Sequence, residues 1–314
     1  MKPMNPGTLD PSASLPDRAT VLKICAVMVT YNPDSSLEQN IRALLPHVDK
    51  LIVVDNGSEP HARWDIRELA SACDFDCIWN RENMGLAAAL NSGIRQALES
   101  ADYTWIATFD HDTHVLPGFR DAMLKAFLAC PYRARVGLIG PHHVLIPGDA
   151  SAIDVPGEAS PAFREITVAM QSGSFLSTEA LRKVGLLDET FFIDYVDFEY
   201  CLRLRKRGFR IVEATNAILG HRLGEPSQHT FLGKTTMVYS HSPVRRYYAA
   251  RNRLRMYPRY LFSDPAWICH DAWSWFKEVM KLLLFEQDRK QKLAYIARGV
   301  WDALRGRSGG LAPN

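Results

Sequence analysis

The feature that most constrains the fold is an apolar segment followed directly by a polar cluster, which occurs three times in the first 113 residues. The pattern begins with VLKICAVMVTYN, repeats in KLIVVDNGS and repeats again in YTWIATFDHDT. Segments rich in Val, Ile and aromatic residues predict buried strands, and the polar clusters predict turns. Between the strands, LEQNIRALLPHV and NMGLAAALNSGIRQALES have helical apolar spacing. This alternation predicts an α/β, Rossmann-like fold with right-handed crossovers and a mainly parallel sheet flanked by helices.

Polar residues that follow the three strands are expected to share one edge of this sheet. The carboxyl ends of parallel strands point in the same direction, and open α/β sheets bind ligands beyond those ends. The residues concerned are Thr30, Tyr31, Asn32, Asp55, Asn56, Asp110 and Asp112. The sequence therefore predicts a ligand site at this edge.

The rest of the chain predicts a second α/β segment followed by helices. It begins with VGLIGPHHVLI near Val136, continues through a predicted loop from Pro147 to Pro161, and resumes in VAMQSGSFLS. TEALRKVGLLDE predicts a helix capped by Thr178, FEYCLRLRKRGF predicts another, and RIVEATNAILGHRLG predicts a strand. From Pro243 onward the pattern is helical and aromatic, with no return to strands.

These patterns divide the chain into three parts. We expect a flexible N-terminus at 1–20, an α/β domain at 21–255, and a helical C-terminal extension at 256–314. The α/β domain has two halves, at 21–135 and 136–255. DCIWNREN predicts a further short strand in the first half.

Charge and composition exclude several classes of protein. The formal net charge is only +2 at pH 7, so no strong basic field favours nucleic acid as a partner. The first twenty residues lack the apolar core of a signal peptide, and no stretch has the eighteen consecutive apolar residues typical of a membrane span. We therefore expect a cytoplasmic protein. The six cysteines lack paired metal-binding spacing and are interpreted as reduced and structural, although Cys73 and Cys77 could share a helix face.

Two carboxylates end the third strand. Asp110 and Asp112 lie two residues apart in TFDHDT, so both side chains can address one ion from the same side. Oxygen ligands suit Mg²⁺ or Mn²⁺, and such a cation can neutralise the charge that develops on a diphosphate leaving group. The alternative is that both are solvated turn residues.

The order of the motifs resembles that of the family 2 glycosyltransferases, over about residues 24 to 255. The segments that carry the resemblance are VMVTYN, VVDNGS, NRENMGLAAALNSGI, the FDHD stretch, QSGSFL, DYVDFEYCLR and GHRLG. In particular, the chain resembles bacterial rhamnosyltransferases that use dTDP-rhamnose to build polysaccharide or O-antigen. The resemblance implies a GT-A fold whose first half binds the nucleotide and whose second half binds the acceptor, a glycan or lipid-linked glycan.

The resemblance also implies roles for residues of the first half. Thr30 and Tyr31, with Asn32 beside them, would line the base pocket, and Asp55 would accept a hydrogen bond from the pyrimidine N3–H. The segment RENMG would pack beside the nucleotide through Asn83 and Gly85. Asp110 would be the acid on the ribose side and Asp112 a metal ligand. His111, between them, departs from the commoner acid or Gln of the family.

Further roles fall in the second half. Asp197 would be the catalytic base of an inverting single displacement, although the usual Glu-Asp pair is Val196-Asp197 here and Asp194 could be mistaken for the base. His221 would complete the metal shell, with a structural histidine as the alternative. Arg246 and Arg251 would lie near the donor diphosphate, and Arg245 is equally compatible with a solvated helix face. The acceptor-side wall would consist of Gln171, Ser172 and Gly173.

Several alternatives stay open. The C-terminal segment from Asp271 to Arg307 has Trp, Phe and Leu among basic residues at helical spacing, which fits peripheral contact with the inner face of the membrane or a packing or homo-oligomer helix. The donor could be a UDP-sugar, or the chain could be a non-catalytic nucleotide-binding scaffold. A nucleotidyltransferase would need a Gly-rich phosphate loop, which VTYNPD lacks.

Overall fold

The structure is a computed structural model that describes residues 22–100, 102–145, 161–221, 227–231, 234–238 and 241–311. Side chains at 145, 221, 227–231 and 234–238 are outside this description, although their backbone is within it. The predicted N-terminal segment 1–20 and the predicted loop from Pro147 to Pro161, except for its last residue, lie outside the described residues.

Strands and helices alternate through the first half of the chain, as the apolar segments predict. The strands are β1 Ile24–Thr30, β2 Lys50–Asp55, β3 Asp76–Trp79, β4 Trp105–Asp110, β5 Thr113–Val115, β6 Val136–Leu145, β7 Phe163–Glu165, β8 Ser174–Ser177, β9 Arg210–His221, β10 Ser227–Phe231 and β11 Lys234–Val238. The α-helices are α1 Leu37–Leu44, α2 Pro60–Cys73, α3 Leu86–Glu99, α4 Phe119–Ala129, α5 Thr178–Val184, α6 Val196–Lys206, α7 Pro243–Tyr260, α8 Pro265–Phe285 and α9 Arg289–Leu304. Short 3₁₀ helices span Leu45–His47, Arg133–Arg135 and Glu189–Phe191.

The main sheet is mixed, with its parallel strands concentrated in the first half. Its order among the described strands is β3-β2-β1-β4-β8-β6-β9-β5, and β7 also pairs with β9. The pairs β3-β2, β2-β1, β1-β4 and β6-β9 are parallel, whereas β8 runs antiparallel to both of its neighbours. The predicted α/β fold is therefore confirmed, and the antiparallel β8 is the place where its two halves join.

Alternation of side chains along β1 explains why helices cover both faces of the sheet. Val27 and Val29 belong to the apolar cluster that contains α3, α5 and α6, whereas Ala26 and Met28 belong to the cluster that contains α1, α2 and α4. A Cβ added to Gly93 of α3 would collide with the Val27 side chain, so this glycine allows α3 to pack closely on the sheet.

Several elements differ from the sequence predictions. The sequence patterns did not indicate α2, α4 or the β10–β11 hairpin. The hydroxyl of Ser177, and not that of Thr178, accepts the capping hydrogen bond at the start of α5. Cys73 ends α2 while Cys77 lies in β3, so they do not share a helix, and all six thiols are free. The absence of strands after Pro243 is confirmed over residues 243–311.

The C-terminal helices pack on the α/β part of the chain. Helix α7 runs through the predicted boundary between residues 255 and 256, and the domain division stays a prediction. Within the described ranges, no helix combines the length and apolar character needed to cross a bilayer.

Candidate active site

Strand register brings the predicted polar residues to one edge of the sheet. Thr30 pairs with Asp55 across β1 and β2, and Val29 pairs with Asp110 across β1 and β4. These pairs place the three strand ends side by side, with β1 in the middle. The expected gathering of Thr30, Asp55 and Asp110 is therefore present.

The β1 and β2 ends form a polar recess. Asp55 is 1% exposed, and its carboxylate accepts hydrogen bonds from the backbone N–H of Ser58 at 3.3 Å and from Arg63 Nε at 2.9 Å. The hydroxyl of Thr30 is buried and has no hydrogen-bond partner among the described residues. Tyr31 is 47% exposed beside it. A buried hydroxyl without a partner next to an exposed aromatic ring suits a flat ligand that carries polar edges.

Asparagine side chains join the loops after β2 and β3. Asn56 donates to Asn83 Oδ1 at 3.0 Å and accepts from Asn80 Nδ2 at 3.1 Å. Asn83 Oδ1 also accepts from the backbone N–H of Gly85 at 3.0 Å. Asn32 anchors the next loop, because its Oδ1 accepts from Glu59 N at 2.8 Å. The motif resemblance gave no role to Asn80, which completes this network from the end of β3.

Gly85 allows the loop before α3 to meet the turn before α6. Its φ is +88°, and a Cβ there would lie 2.7 Å from the carbonyl oxygen of Phe192. The next residue, Leu86, donates its N–H to that same carbonyl at 2.6 Å. The nucleotide-side loop and the turn before α6 are therefore in direct contact.

Three carboxylates and one guanidinium meet beyond β4. Burial raises the pKa of Asp110 to about 7, and the carboxylates of Asp112 and Asp197 raise it further while Arg245 opposes them. The backbone N–H of Asp110 donates to Ser172 Oγ at 3.0 Å. This pKa shows that the cluster holds more negative charge than Arg245 balances.

Asp197 stands in the first turn of α6. Its Oδ1 accepts from the backbone N–H of Phe198 at 2.9 Å, an interaction that the helix N-terminus favours. Burial raises its pKa to about 6, Asp194 raises it as well, and the backbone N–H groups of Phe198 and Gln171 lower it. With Thr108, Gln171 and Tyr200, it lines a small cavity.

The segment from Gln171 to Gly173 lies between Asp110 and Asp197. Gly173 donates its N–H to the carbonyl of Thr108 at 2.7 Å, and the Thr108 hydroxyl donates to the carbonyl of Gln171 at 2.7 Å. Ser172 is 2% exposed, and its hydroxyl lies 2.6 Å from that of Thr113. Gln171 is thus the residue of this predicted acceptor wall with a half-buried side chain, while Ser172 fastens the wall to β4 and β5.

A strained turn leads into α6. Phe192, Asp194 and Tyr195 have φ values of 56°, 61° and 67°, in the left-handed region that residues other than glycine seldom adopt. The side-chain amide of Asn252 in α7 donates to the carbonyls of Phe191, Ile193 and Asp194 at 2.7, 2.8 and 2.9 Å. The helix that follows the α/β part of the chain therefore holds the turn that carries Asp194.

The arginines of α7 have different environments. Arg251 is fully buried, donates to the carbonyl of Gly309 at 2.7 Å and stacks on Tyr248. Arg246 is 9% exposed and pairs with Glu286 at 2.6 Å. Both guanidinium groups are thus held by protein partners, and their predicted contact with the donor stays a prediction that this packing does not favour. The arginine beside the carboxylates is Arg245, which is half exposed and pairs with Asp194 at 3.1 Å.

His221 ends β9, and its side chain lies outside the described residues. Its backbone pairs with Thr113 in β5, one residue after Asp112. Among the described side chains, no group of three or more His, Cys, Asp or Glu is arranged to hold a metal ion. The predicted ligand pair of Asp112 and His221 therefore rests on this strand pairing.

The sheet order, the acids beyond β4 and the carboxylate at the start of α6 define a glycosyltransferase with the GT-A fold. A solved structure titled GalNAc-T7 with UDP, GalNAc and Mn²⁺ is similar in fold, with a TM-score of 0.59 and 12% identity. The match covers 92% of this chain and 57% of that one, so the chain spans little more than half of that protein's length.

Sequence comparison identifies the family. Residues 25–142 match the Glycosyl transferase family 2 model. The chain is 31% identical over 249 residues to dTDP-rhamnosyl transferase RfbF of Shigella flexneri, which covers 73% of this chain and 78% of the relative. It is 24% identical over 270 residues to galactofuranosyltransferase GlfT1 of Mycolicibacterium smegmatis, which covers 77% and 83%. The chain belongs to glycosyltransferase family 2, and it is an enzyme of the hexosyltransferase type, as the motifs predicted.

Proposed function

We propose that the enzyme transfers L-rhamnose from dTDP-rhamnose to a hydroxyl of a bacterial polysaccharide, O-antigen or lipid-linked glycan, with inversion at the anomeric carbon. The observation that carries the donor assignment is the 31% identity to a dTDP-rhamnosyl transferase, which extends over 78% of that relative. A UDP-sugar donor is the second candidate, because the more distant relative GlfT1 is a galactofuranosyltransferase.

The donor nucleotide would occupy the recess at the β1 and β2 ends. Tyr31 offers an exposed ring for stacking, and the unpartnered Thr30 hydroxyl and the buried Asp55 carboxylate offer polar contacts for a pyrimidine edge. The loops that contain Asn32, Asn83 and Gly85 would close around the sugar and phosphates. Asp110 would face the ribose.

Asp112 and His221 would hold a divalent cation, Mg²⁺ or Mn²⁺. The donor set fits such an ion, because the raised pKa of Asp110 reflects uncompensated negative charge beside Asp112, and oxygen ligands prefer hard cations. When bound, the cation supplies electrostatic neutralisation of the diphosphate leaving group. Arg245 is exposed enough to add a hydrogen-bond donor to that diphosphate, a role that its neighbours Arg246 and Arg251 are less free to take.

Asp197 would act as the general base. Its pKa of about 6 leaves it mostly ionised at neutral pH while keeping it more basic than an exposed carboxylate. It would remove the proton from the acceptor hydroxyl as that oxygen attacks the anomeric carbon, and the C–O bond to the diphosphate would break in the same displacement. Gln171 would contact the acceptor, while Ser172 and Gly173 would hold Gln171 in place.

The test combines a donor screen with a matched pair of variants. Purified enzyme is mixed with Mn²⁺, an acceptor glycan extract and dTDP-rhamnose, UDP-galactose or UDP-glucose, and released nucleoside diphosphate is measured. We expect turnover with dTDP-rhamnose, and a loss of about 10²- to 10⁴-fold for Asp197→Asn. Asp194→Asn serves as the control, because its carboxylate already pairs with Arg245; we expect a smaller loss.

Each outcome has a definite meaning. Preference for a UDP-sugar would overturn the rhamnosyl assignment and leave the mechanism intact. Equal losses for Asp194→Asn and Asp197→Asn, or a larger loss for Asp194→Asn, would overturn the choice of base. Nucleotide binding without turnover of any donor would favour the scaffold reading.

A further inference from the structure

Helix α8 exposes an apolar strip along one face. Trp273, Phe276, Met280, Leu283 and Leu284 are 59%, 54%, 38%, 39% and 46% exposed. Their spacing of three and four residues places them on one side of the helix. The rings of Trp273 and Phe276 stack on each other, with centroids 5.3 Å apart and planes 18° from parallel. We call these five residues the α8 strip.

Charge is distributed unevenly around this strip. Lys277 and Lys281 follow one of its edges, at positions four residues apart. The two acidic residues of α8 are turned toward α7, where Asp271 pairs with Arg253 at 2.8 Å and Glu278 lies 3.7 Å from the same guanidinium. The outward face of α8 is therefore apolar with a basic edge, and the acids of the helix are neutralised on its inner side.

We propose that the α8 strip lies in the headgroup region of a membrane that contains anionic lipids. Amphipathic helices that bind in the interface combine exposed Trp, Phe and Leu with Lys on the flanking polar face, and each such Lys adds attraction to anionic lipid. Charge complementarity selects this occupant, since the acids that would repel an anionic surface are already paired with α7. A second copy of the chain would instead have to bring the same lysines toward each other.

The orientation of α8 relates the strip to the active site. Along α7, Arg253 pairs with Asp271 near the start of α8, and Arg246 pairs with Glu286 just after its end. The two helices are therefore antiparallel, and the end of the strip at Leu283 and Leu284 lies beside the start of α7. Arg245 occupies that same start of α7. Membrane contact there would bring a lipid-linked acceptor to the carboxylates, a consequence that rests on the proposed function.

Vesicle co-flotation tests the proposal without any substrate. Full-length protein is mixed with vesicles of phosphatidylcholine alone or of phosphatidylcholine with phosphatidylglycerol. We expect binding to the anionic vesicles, weakened about tenfold or more by the double substitution Trp273→Ser/Phe276→Ser, because two large apolar side chains are removed. The charge reversal Lys277→Glu should weaken binding about fivefold or more, since each basic residue near an anionic surface contributes roughly that factor.

The matched control is Trp64→Ser, which removes a tryptophan of equal exposure, 58%, from α2. It should bind anionic vesicles as the unaltered protein does. Light scattering measures the oligomeric state of the same samples. Absence of flotation, equal flotation of all variants, or self-association that depends on Trp273 without vesicle binding would each overturn the proposal. Donor turnover in detergent-free buffer is unaffected by these outcomes, so failure here is distinguishable from failure of the proposed function.

Discussion

Asn252 holds Asp194 from a separate helix, since its side-chain amide donates to the Asp194 carbonyl at 2.9 Å. The same amide contacts the carbonyls of Phe191 and Ile193, and Asn252 is fully buried. Left-handed backbone costs about 1–3 kcal/mol per residue and persists only where its surroundings impose it. Helix α7 therefore imposes the conformation of the turn that leads to Asp197.

The first prediction concerns this contact. Asn252→Ala should lower kcat by about tenfold to a hundredfold with a smaller change in nucleotide Kd, because a small displacement of catalytic groups costs about that much. Tyr247→Phe is the control, since it removes a buried hydrogen bond from the same helix to Asp302. Comparable stability losses with unequal kcat losses, measured by thermal unfolding and steady-state kinetics, would support the prediction. Equal kcat values would contradict it.

The second prediction is the pH dependence of kcat/KM. A base must be deprotonated to act, and burial raises the pKa of Asp197 to about 6. Activity should therefore fall as pH drops below about 6 and level off above it. Since the Asp194 carboxylate contributes to raising this pKa, Asp194→Asn should move the acidic limb to lower pH. A limb that moves upward in that variant, at saturating Mn²⁺, would refute the assignment.

The third prediction separates two arginines of α7. Arg245 is half exposed, so Arg245→Ala should raise the donor KM with little change in the melting temperature. Arg251 is fully buried against carbonyl groups, and Arg251→Ala should reduce the free energy of unfolding by about 2–4 kcal/mol, because buried acceptors lose their donors. Isothermal titration with dTDP and chemical denaturation measure the two effects. The reverse pattern would restore Arg251 as a donor ligand.

The fourth prediction uses two glycines with nearly the same backbone angle. Gly85 and Gly118 have φ values of +88° and +80°, but a Cβ on Gly85 meets Phe192 whereas one on Gly118 meets nothing within 4 Å. Gly118→Ala should cost about 1 kcal/mol of stability through strain alone. Gly85→Ala should cost more and should also lower kcat, because it pushes against the catalytic turn. Denaturation and rate measurements on both variants decide this, and equal effects would argue against the turn contact.

Much of the first half could be predicted from sequence because its strands are buried on both faces. All seven residues of β1 are buried, so the segment is apolar almost without interruption. Helix α2 gave no such signal, since only Ala62 and Ile66 of its fourteen residues are buried. The pattern there is mostly polar, and the helix is held by its position beside β3.

The roles of the α7 arginines could not be predicted, because they depend on distant segments. Arg246 is paired through Glu286, and Arg251 through the carbonyls of Thr190 and Gly309. Local sequence gives Arg245, Arg246 and Arg251 the same basic character. Tertiary packing alone separates the one beside the carboxylates from the two held inside.

The contact between Asn252 and the turn before α6 has a consequence for how the nascent chain acquires activity. When the ribosome has released the sheet and α6, the strained turn still lacks the amide that restrains it, and Arg251 still lacks the carbonyl of Gly309. Nucleotide-side loops can form at that stage, but the geometry around Asp194 awaits the helices synthesised afterwards. Sugar transfer therefore begins only after nearly the whole chain has been made.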